Sequence, residues 1–314
     1  MQYRTLGSSG LKVSAVGLGA NNFGRIIDEA RSIRVIQQAL DVGINHIDTA
    51  DFYGLGASEE HIGKAIRGQR HRVVIATKVG QPMGDGPNDR GLARAHVVRA
   101  VEGSLRRLGS DYIDVYHCHV PDPVAPPEET WRAFDDLVRQ GKVRYVGCSN
   151  FPAWRIAEAH WVARASGLHP PVAALWQYNL LERAAEAEVI PCCQRYGMGL
   201  VPFYPLASGL LTGKYRPGEP PPPGSRATSD LPYAPKLDPA KLALVARLDD
   251  WARSHGRTVL ELAIAWLLAR PTVCSVIAGA TSPEQVTANA KAADWQLTPA
   301  QVSEVQALLA ERRE

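Results

Sequence analysis

The runs VVIATKVG at 73–80, AHVVRAVEGSLRRL at 95–108 and IDVYHCHV at 113–120 follow one another in the chain. The first and third are short, β-branched and almost continuously apolar, as expected of parallel strands covered on both faces. The middle one repeats its apolar residues with helical spacing. Together they make a strand, a crossover helix and a second strand. The same alternation extends both ways: candidate strands begin near Val16, His46, Val73, Ile113, Tyr145, Val172, Gly199 and Cys274. Between them the periodicity predicts helices over 30–42, 58–66, 95–108, 128–140, 153–166, 187–196, 240–254 with 258–268, and 283–292. Crossovers of this kind are right-handed, and eight such units close naturally into a (β/α)8 TIM barrel; an open doubly wound sheet is the alternative. Residues 1–314 are read as one barrel domain.

Helix starts are marked by Thr258 with Glu261, Ser282 with Gln285 and Thr298 with Gln301, all at capping-box spacing. Two segments fall outside the repeat. QYRTLGSSGLKVS at 2–14 predicts an N-terminal β-hairpin under the barrel. The segment after strand 7, from Pro205 to Pro239, carries Pro220 to Pro223 and Gly224 and predicts a long loop, either a lid over a ligand or a passive excursion.

Composition narrows the class. Apolar residues make up 45% and charged residues 21%, ordinary for a globular protein, and 35 Lys and Arg against 32 Asp and Glu leave a formal charge of +3 with no basic block. Neither nucleic acid nor a membrane is expected as a partner. The longest apolar run, Leu262 to Ala269, is too short to span a bilayer, and the polar start has no signal-peptide core, so the chain is read as cytoplasmic. Cys118, Cys148, Cys192, Cys193 and Cys274 show neither disulfide nor zinc spacing.

Barrel chemistry sits where the strands end. HIDTADFYG, IATKVG and IDVYHCHVPD place Asp48, Tyr53, Lys78 and His119 at one mouth. Singly, each reads as a structural charge or a packed ring. As a set they form an acid: the Lys78 ammonium stabilises the phenolate left when Tyr53 gives up its proton and is expected to depress its pKa, Asp48 keeps Lys78 charged and aimed, and His119 orients a carbonyl oxygen or shares the proton. With no activated nucleophile evident, an acid at a carbonyl oxygen suits hydride addition from a cofactor.

GINHIDTADFYG, VVIATKVG, DVYHCHVPDP, VRYVGCSNF, LWQYNLLER, PFYPLASGLLTGKY and VIAGATSPEQVTAN, taken in order, resemble the aldo-keto reductase family, NAD(P)(H)-dependent (β/α)8 oxidoreductases. The resemblance implies a reversible reduction of an aldehyde or ketone to the alcohol, with Tyr53 as general acid, Lys78 and Asp48 as its tuning pair and His119 orienting the carbonyl. It implies Ser149, Asn150 and Gln177 at the nicotinamide carboxamide. Tyr204 matches the aromatic stacked on the nicotinamide ring, or is a packed rim aromatic. The backbone from Leu206 to Leu211 and the side chain of Lys214 match the pyrophosphate segment, with a solvated charge as the plainer reading of Lys214. Gly279, Thr281, Ser282, Gln285 and Asn289 match the adenosine end. NADPH-specific relatives place a lysine and an arginine where Gly279 and Gln285 stand, so NADP(H) is expected to be preferred modestly, NAD(H) remaining possible, with Arg226 a candidate replacement cation.

GLGANNFG at 17–24 does not have dinucleotide-fingerprint spacing and is read as a tight strand exit, with Asn21, Asn22 and Phe23 facing the mouth. Asn22 and Phe52 are the candidate substrate residues. His117 shares a strand face with His119; lacking further ligands it is read not as part of a metal site but as an interior residue hydrogen-bonded below His119. Two rivals remain: a nicotinamide-binding regulatory subunit resembling potassium-channel β subunits, against which stands a hairpin that begins at once, and a Schiff-base aldolase on Lys78, against which stands Asp48. The physiological carbonyl, its stereochemistry and the oligomeric state are left open.

Overall fold

In a computed structural model, which describes residues 1–229 and 234–310, the chain opens with the antiparallel pair β1 (Tyr3–Thr5) and β2 (Lys12–Ser14). Residues 230–233 of the long loop lie outside the described residues. Eight parallel strands follow: β3 (Val16–Gly19), β4 (His46–Asp48), β5 (Val74–Val79), β6 (Ile113–Cys118), β7 (Val143–Ser149), β8 (Ala173–Gln177), β9 (Gly199–Phe203) and β10 (Val276–Gly279). They pair in the order β10, β3, β4 and so on to β9. A parallel bridge between Leu200 and Val273 joins the β9 edge to the approach to β10, with Leu200 N–H donating to Thr272 O at 2.8 Å and Cys274 N–H to Leu200 O at 2.9 Å. The sheet is therefore a (β/α)8 barrel rather than an open doubly wound sheet.

Every residue of β5 and β6 is buried, as their continuous apolar runs require. Helices Glu29–Asp41, Ala57–Ala65, Arg94–Leu108, Pro127–Arg139, Ala153–Ala165, Val189–Tyr196, Val259–Leu268 and Pro283–Ala292 cover the outside of the barrel. Between barrel and helices runs one apolar layer, in which Trp131, Phe134 and Leu137 of one helix stripe are buried together. A second, smaller core fills the barrel: Val74, Ala76, Val115, Leu175 and Val201, closed from below by Leu6 and Val13 of the hairpin. Gly7 (φ 54) lets the hairpin turn press against the starts of β8 and β9, since a β-carbon there would stand 2.1 Å from Val172 O.

The predicted caps hold in different degrees. Thr258 and Glu261 close both bonds of a capping box, and Thr298 and Gln301 exchange reciprocal bonds. Gln285 reaches instead to the Thr281 N–H at 2.8 Å, while Ser282 accepts from Gln285 N–H. Gly17 and Gly19 are not a strand exit but members of β3; β-carbons on them would stand 3.0 Å from His46 Nδ1 and 2.8 Å from Ile277 Cγ2 respectively. After the long segment, the helix predicted over 240–254 forms as Pro239–Ser254 and packs against the last helix, Pro299–Ala310. Among the described residues no helix is long and apolar enough to cross a membrane.

Candidate active site

At the C-terminal mouth, strand register brings the four predicted groups together. Lys78, near the end of β5, lies opposite His117 of β6; His119 follows one turn of the pleat later, and Asp48 closes β4. Lys78 Nζ donates to Asp48 Oδ1 at 2.5 Å and to Thr49 O at 2.6 Å, and the side chain is 2% exposed. It stands 5.1 Å from the centre of the Tyr53 ring, which lies nearly perpendicular to the His119 ring with the two centres 5.8 Å apart. Burial pulls the Lys78 pKa down, but Asp48 and Tyr53 together outweigh it, so the ammonium is retained more firmly than usual. Burial drives His119 down to about 3, assisted by Lys78, so the imidazole is neutral at physiological pH.

Three expectations are corrected here. Burial raises the Tyr53 phenol above its ordinary pKa of 10; Lys78 offsets only part of this, so the depressed value expected from the lysine alone is not what the full environment gives. His117 is interior, but among the described residues its Nδ1 has no hydrogen-bond partner, so the bond expected below His119 is absent from that nitrogen. Its ring lies over Gly147, where a β-carbon would stand 2.3 Å from Nδ1. Phe23, expected at the mouth, is fully buried in the outer apolar layer.

Tyr53 is carried by a short turn, Tyr53–Gly56, in which Gly54, Leu55 and Gly56 have φ of 60, 53 and 98°. Among the described residues, the non-glycine residues with positive φ are Leu55, Asn150, Tyr204, Ala207 and Ser208, all on loops that follow β4, β7 and β9 at this mouth. Left-handed backbone of this kind costs about 1–3 kcal/mol per residue and collects where a site over-determines the chain. Phe52 is partly exposed beside the turn.

The remaining predicted residues ring the mouth. Ser149 is buried at the end of β7; Asn150 Nδ2 donates to His119 O at 2.9 Å and to Ser149 Oγ at 3.0 Å. Gln177 is exposed at the end of β8, and Tyr204, held through its carbonyl by Asn179, is close enough to push the Tyr53 pKa up. In the following turn the Leu211 N–H donates to Leu206 O, so that N–H is not presented outward. Lys214 bends back over Gly209, whose φ of 104° is backbone that favours glycine; a β-carbon there would stand in ordinary contact, 3.5 Å from Nζ. At the end of β10, Asn289 Nδ2 reaches Gly279 O at 3.5 Å, and Thr281 and Ser282 lead into the helix Pro283–Ala292. Asn22, 2% exposed, accepts from Arg226 Nη2 at 3.1 Å, which ties the long loop to the end of β3.

A polar cluster that the sequence does not announce lies behind the Tyr53 turn. Glu59, fully buried, accepts from Thr77 Oγ1 at 2.6 Å and from Arg107 Nε at 2.8 Å; Asp51, 1% exposed, lies with it. Two carboxylates flanking a strand-end tyrosine were the available signal, but Glu59 also reads as an ordinary first-turn helix acid. A cavity of about 480 Å³ between Arg4, Leu268 and Cys274 lies by the hairpin at the other end of the barrel, away from these groups.

The model of the aldo/keto reductase family matches residues 15–310. A probable voltage-gated potassium channel subunit beta from Oryza sativa subsp. japonica is 40% identical over 98% of this chain and 97% of its own length. The aldo-keto reductase YhdN of Bacillus subtilis is 35% identical over 98% of this chain and 94% of its own. The L-glyceraldehyde 3-phosphate reductase of Escherichia coli is 34% identical over 93% and 87%. The chain belongs to the aldo/keto reductase family.

Proposed function

We propose that this member of the aldo/keto reductase family reversibly reduces an aldehyde or ketone to the alcohol, with NADP(H) preferred and NAD(H) accepted, in the cytoplasm. The observation that carries the reading is the buried ammonium of Lys78, fixed by Asp48 and Thr49 next to the Tyr53 phenol. The nicotinamide cofactor supplies the hydride that adds to the carbonyl carbon. Tyr53 delivers the proton to the carbonyl oxygen, and Lys78 stabilises the phenolate that remains. His119, neutral, is suited to donate a hydrogen bond to the oxygen rather than to act as the acid.

The donor set fits the cofactor. Ser149, Asn150 and Gln177 supply the hydroxyl and amides a carboxamide needs, Lys214 over Gly209 supplies a cation for a pyrophosphate, and Thr281, Ser282 and the positive end of the following helix would meet the adenosine end. Tyr204 would stack on the ring; Asn22 and Phe52 would meet the substrate.

Turnover of NADPH with a panel of aliphatic and aromatic aldehydes tests the reading. Tyr53→Phe is expected to lower kcat by at least about 10²-fold; an undiminished rate overturns the assignment of the acid. The printed names of the channel-subunit relatives favour a second reading, a nicotinamide-binding regulatory subunit. It requires tight cofactor binding, negligible turnover with every carbonyl and stable co-purification of another protein.

A further inference from the structure

Behind the turn that carries Tyr53, two buried carboxyl groups lie near one guanidinium, which is bonded to only one of them. Glu59 is saturated: Thr77 holds one oxygen, and Arg107 holds the other through Nε at 2.8 Å and Nη2 at 2.7 Å. The stem of Arg107 also lies across Gly56, where a β-carbon would stand 2.5 Å from Cδ, so this ion pair clamps the far end of the turn. Asp51 forms the near end. It is 1% exposed, and among the described residues neither of its oxygens finds a well-formed hydrogen bond. The Tyr116 hydroxyl, also fully buried and without a partner, belongs to the same region. A second full negative charge here would be buried without a counter-ion of its own, which is strongly unfavourable.

We propose that Asp51 is a positioning residue for Tyr53: as a neutral carboxyl it lets the turn from Asp51 to Gly56 close against the Glu59–Arg107 pair, and its ionisation displaces the turn and moves the phenol off Lys78. The proposal rests on the reading of Tyr53 as the proton donor. The charged and titratable groups facing Asp51 are Glu59 from the helix Ala57–Ala65, Arg107 from the helix Arg94–Leu108, Lys78 from β5 and Tyr116 from β6. Burial, then Glu59, push the Asp51 carboxyl up to about 7, against the pull of the Phe52 N–H, Arg107 and Lys78. Because the folded protein holds this proton more tightly than the unfolded chain, the stability Asp51 permits is lost as pH rises from about 4 toward 7.

The experiment compares wild type with Asp51→Asn, which keeps the shape and cannot ionise. Wild-type kcat for reduction is expected to fall about tenfold per pH unit above 7 with little change in the carbonyl KM, and Asp51→Asn to lose that limb. The Tm of wild type is expected to drop between pH 5.5 and 8.5 relative to Asp51→Asn. The same limb in both proteins, with parallel Tm curves, overturns the proposal. Absence of carbonyl turnover at every pH defeats the reading of Tyr53 instead, and the Tm comparison still decides the charge state of Asp51. Should Asp51→Asn not fold, carboxyl ¹³C titration of Asp-labelled wild type replaces it. A midpoint near 7 that moves down in Glu59→Gln is expected; all Asp midpoints below 5 overturn the proposal.

Discussion

Lys78 Nζ lies 2.5 Å from Asp48 Oδ1, and both side chains are buried, the lysine 2% and the aspartate 6% exposed. An ion pair this dry survives because each charge is the other's solvent. Removing one partner leaves an uncompensated buried charge and costs about 3–5 kcal/mol, far more than a surface pair. Lys78→Met is therefore expected to lower unfolding free energy by that amount and kcat by about 10²–10⁴-fold. Adding Asp48→Asn is expected to restore much of the stability and none of the activity. Urea unfolding and steady-state kinetics of the single and double variants measure both; a Lys78→Met protein as stable as wild type contradicts the buried pairing.

His46 gives a pH dependence of the opposite sense to that of Asp51. It is buried with Nδ1 2.9 Å from Ser275 Oγ, and burial, then Lys78, bring its pKa from 6.5 to about 4. The unfolded chain binds this proton first, so stability is lost as pH falls from 6.5 toward 4, by about 3 kcal/mol for the full shift. His46→Asn is expected to flatten that part of the stability curve. Denaturant midpoints at pH 4.5, 5.5 and 6.5 check it, and an unchanged slope removes His46 as its source.

Much of this architecture is legible in the chain itself because a parallel barrel strand buried on both faces has no polar alternation to disguise it, as in β5 and β6. The chemical groups are equally visible, since Asp48, Lys78 and His119 each stand where an apolar run gives out. What the sequence hid were relations across the fold. Arg107 and Glu59, 48 residues apart, meet only because two neighbouring helices pack. Arg226 and Asn22, 204 residues apart, meet only because the loop after β9 reaches across the mouth. The Tyr53 pKa is hidden for a related reason: Lys78 is visible in sequence, whereas the burial that outweighs it is a property of the assembled barrel.

That burial sets where Tyr53 titrates. With Asp51 replaced by Asn, reduction is expected to stay level through neutral pH and to fall only above 10, since the phenol must be protonated to act and is held above its ordinary value. Alcohol oxidation, which needs the phenolate, is expected to rise over the same alkaline range. Profiles of kcat in the two directions, measured on Asp51→Asn, check this. A descending limb near neutrality in the reductive direction would show that the bound cofactor or substrate overrides the burial of Tyr53.

Cofactor preference turns on where a cation can stand near the adenosine end. Positions 279 and 285 offer none: Gly279 has no side chain, and the Gln285 oxygen is occupied by the Thr281 N–H at 2.8 Å. Thr281 and Ser282 add only neutral hydrogen bonds, each contributing about 0.5–1.5 kcal/mol, although the helix N-terminus behind them favours an anion. Arg226 is one cation that the fold brings toward this edge; Arg31, whose Nη2 donates to Thr281 O at 3.2 Å, is another. Arg226 Nη2 lies 3.1 Å from Asn22 Oδ1, and Asn22 in turn sits where a β-carbon on residue 279 would be 3.5 Å from its amide nitrogen. A charged contact of about 1.5–3 kcal/mol corresponds to a preference of roughly 10- to 100-fold. The wild type is accordingly expected to prefer NADPH by a modest factor with measurable NADH activity. Arg226→Ala is expected to lower kcat/KM for NADPH by about tenfold while changing the NADH value much less. Both constants are to be measured at one fixed salt concentration, because a solvent-facing charge is screened. An equal loss with both cofactors would place Arg226 in loop closure alone, and a wild-type preference for NADH would overturn the assignment of NADP(H).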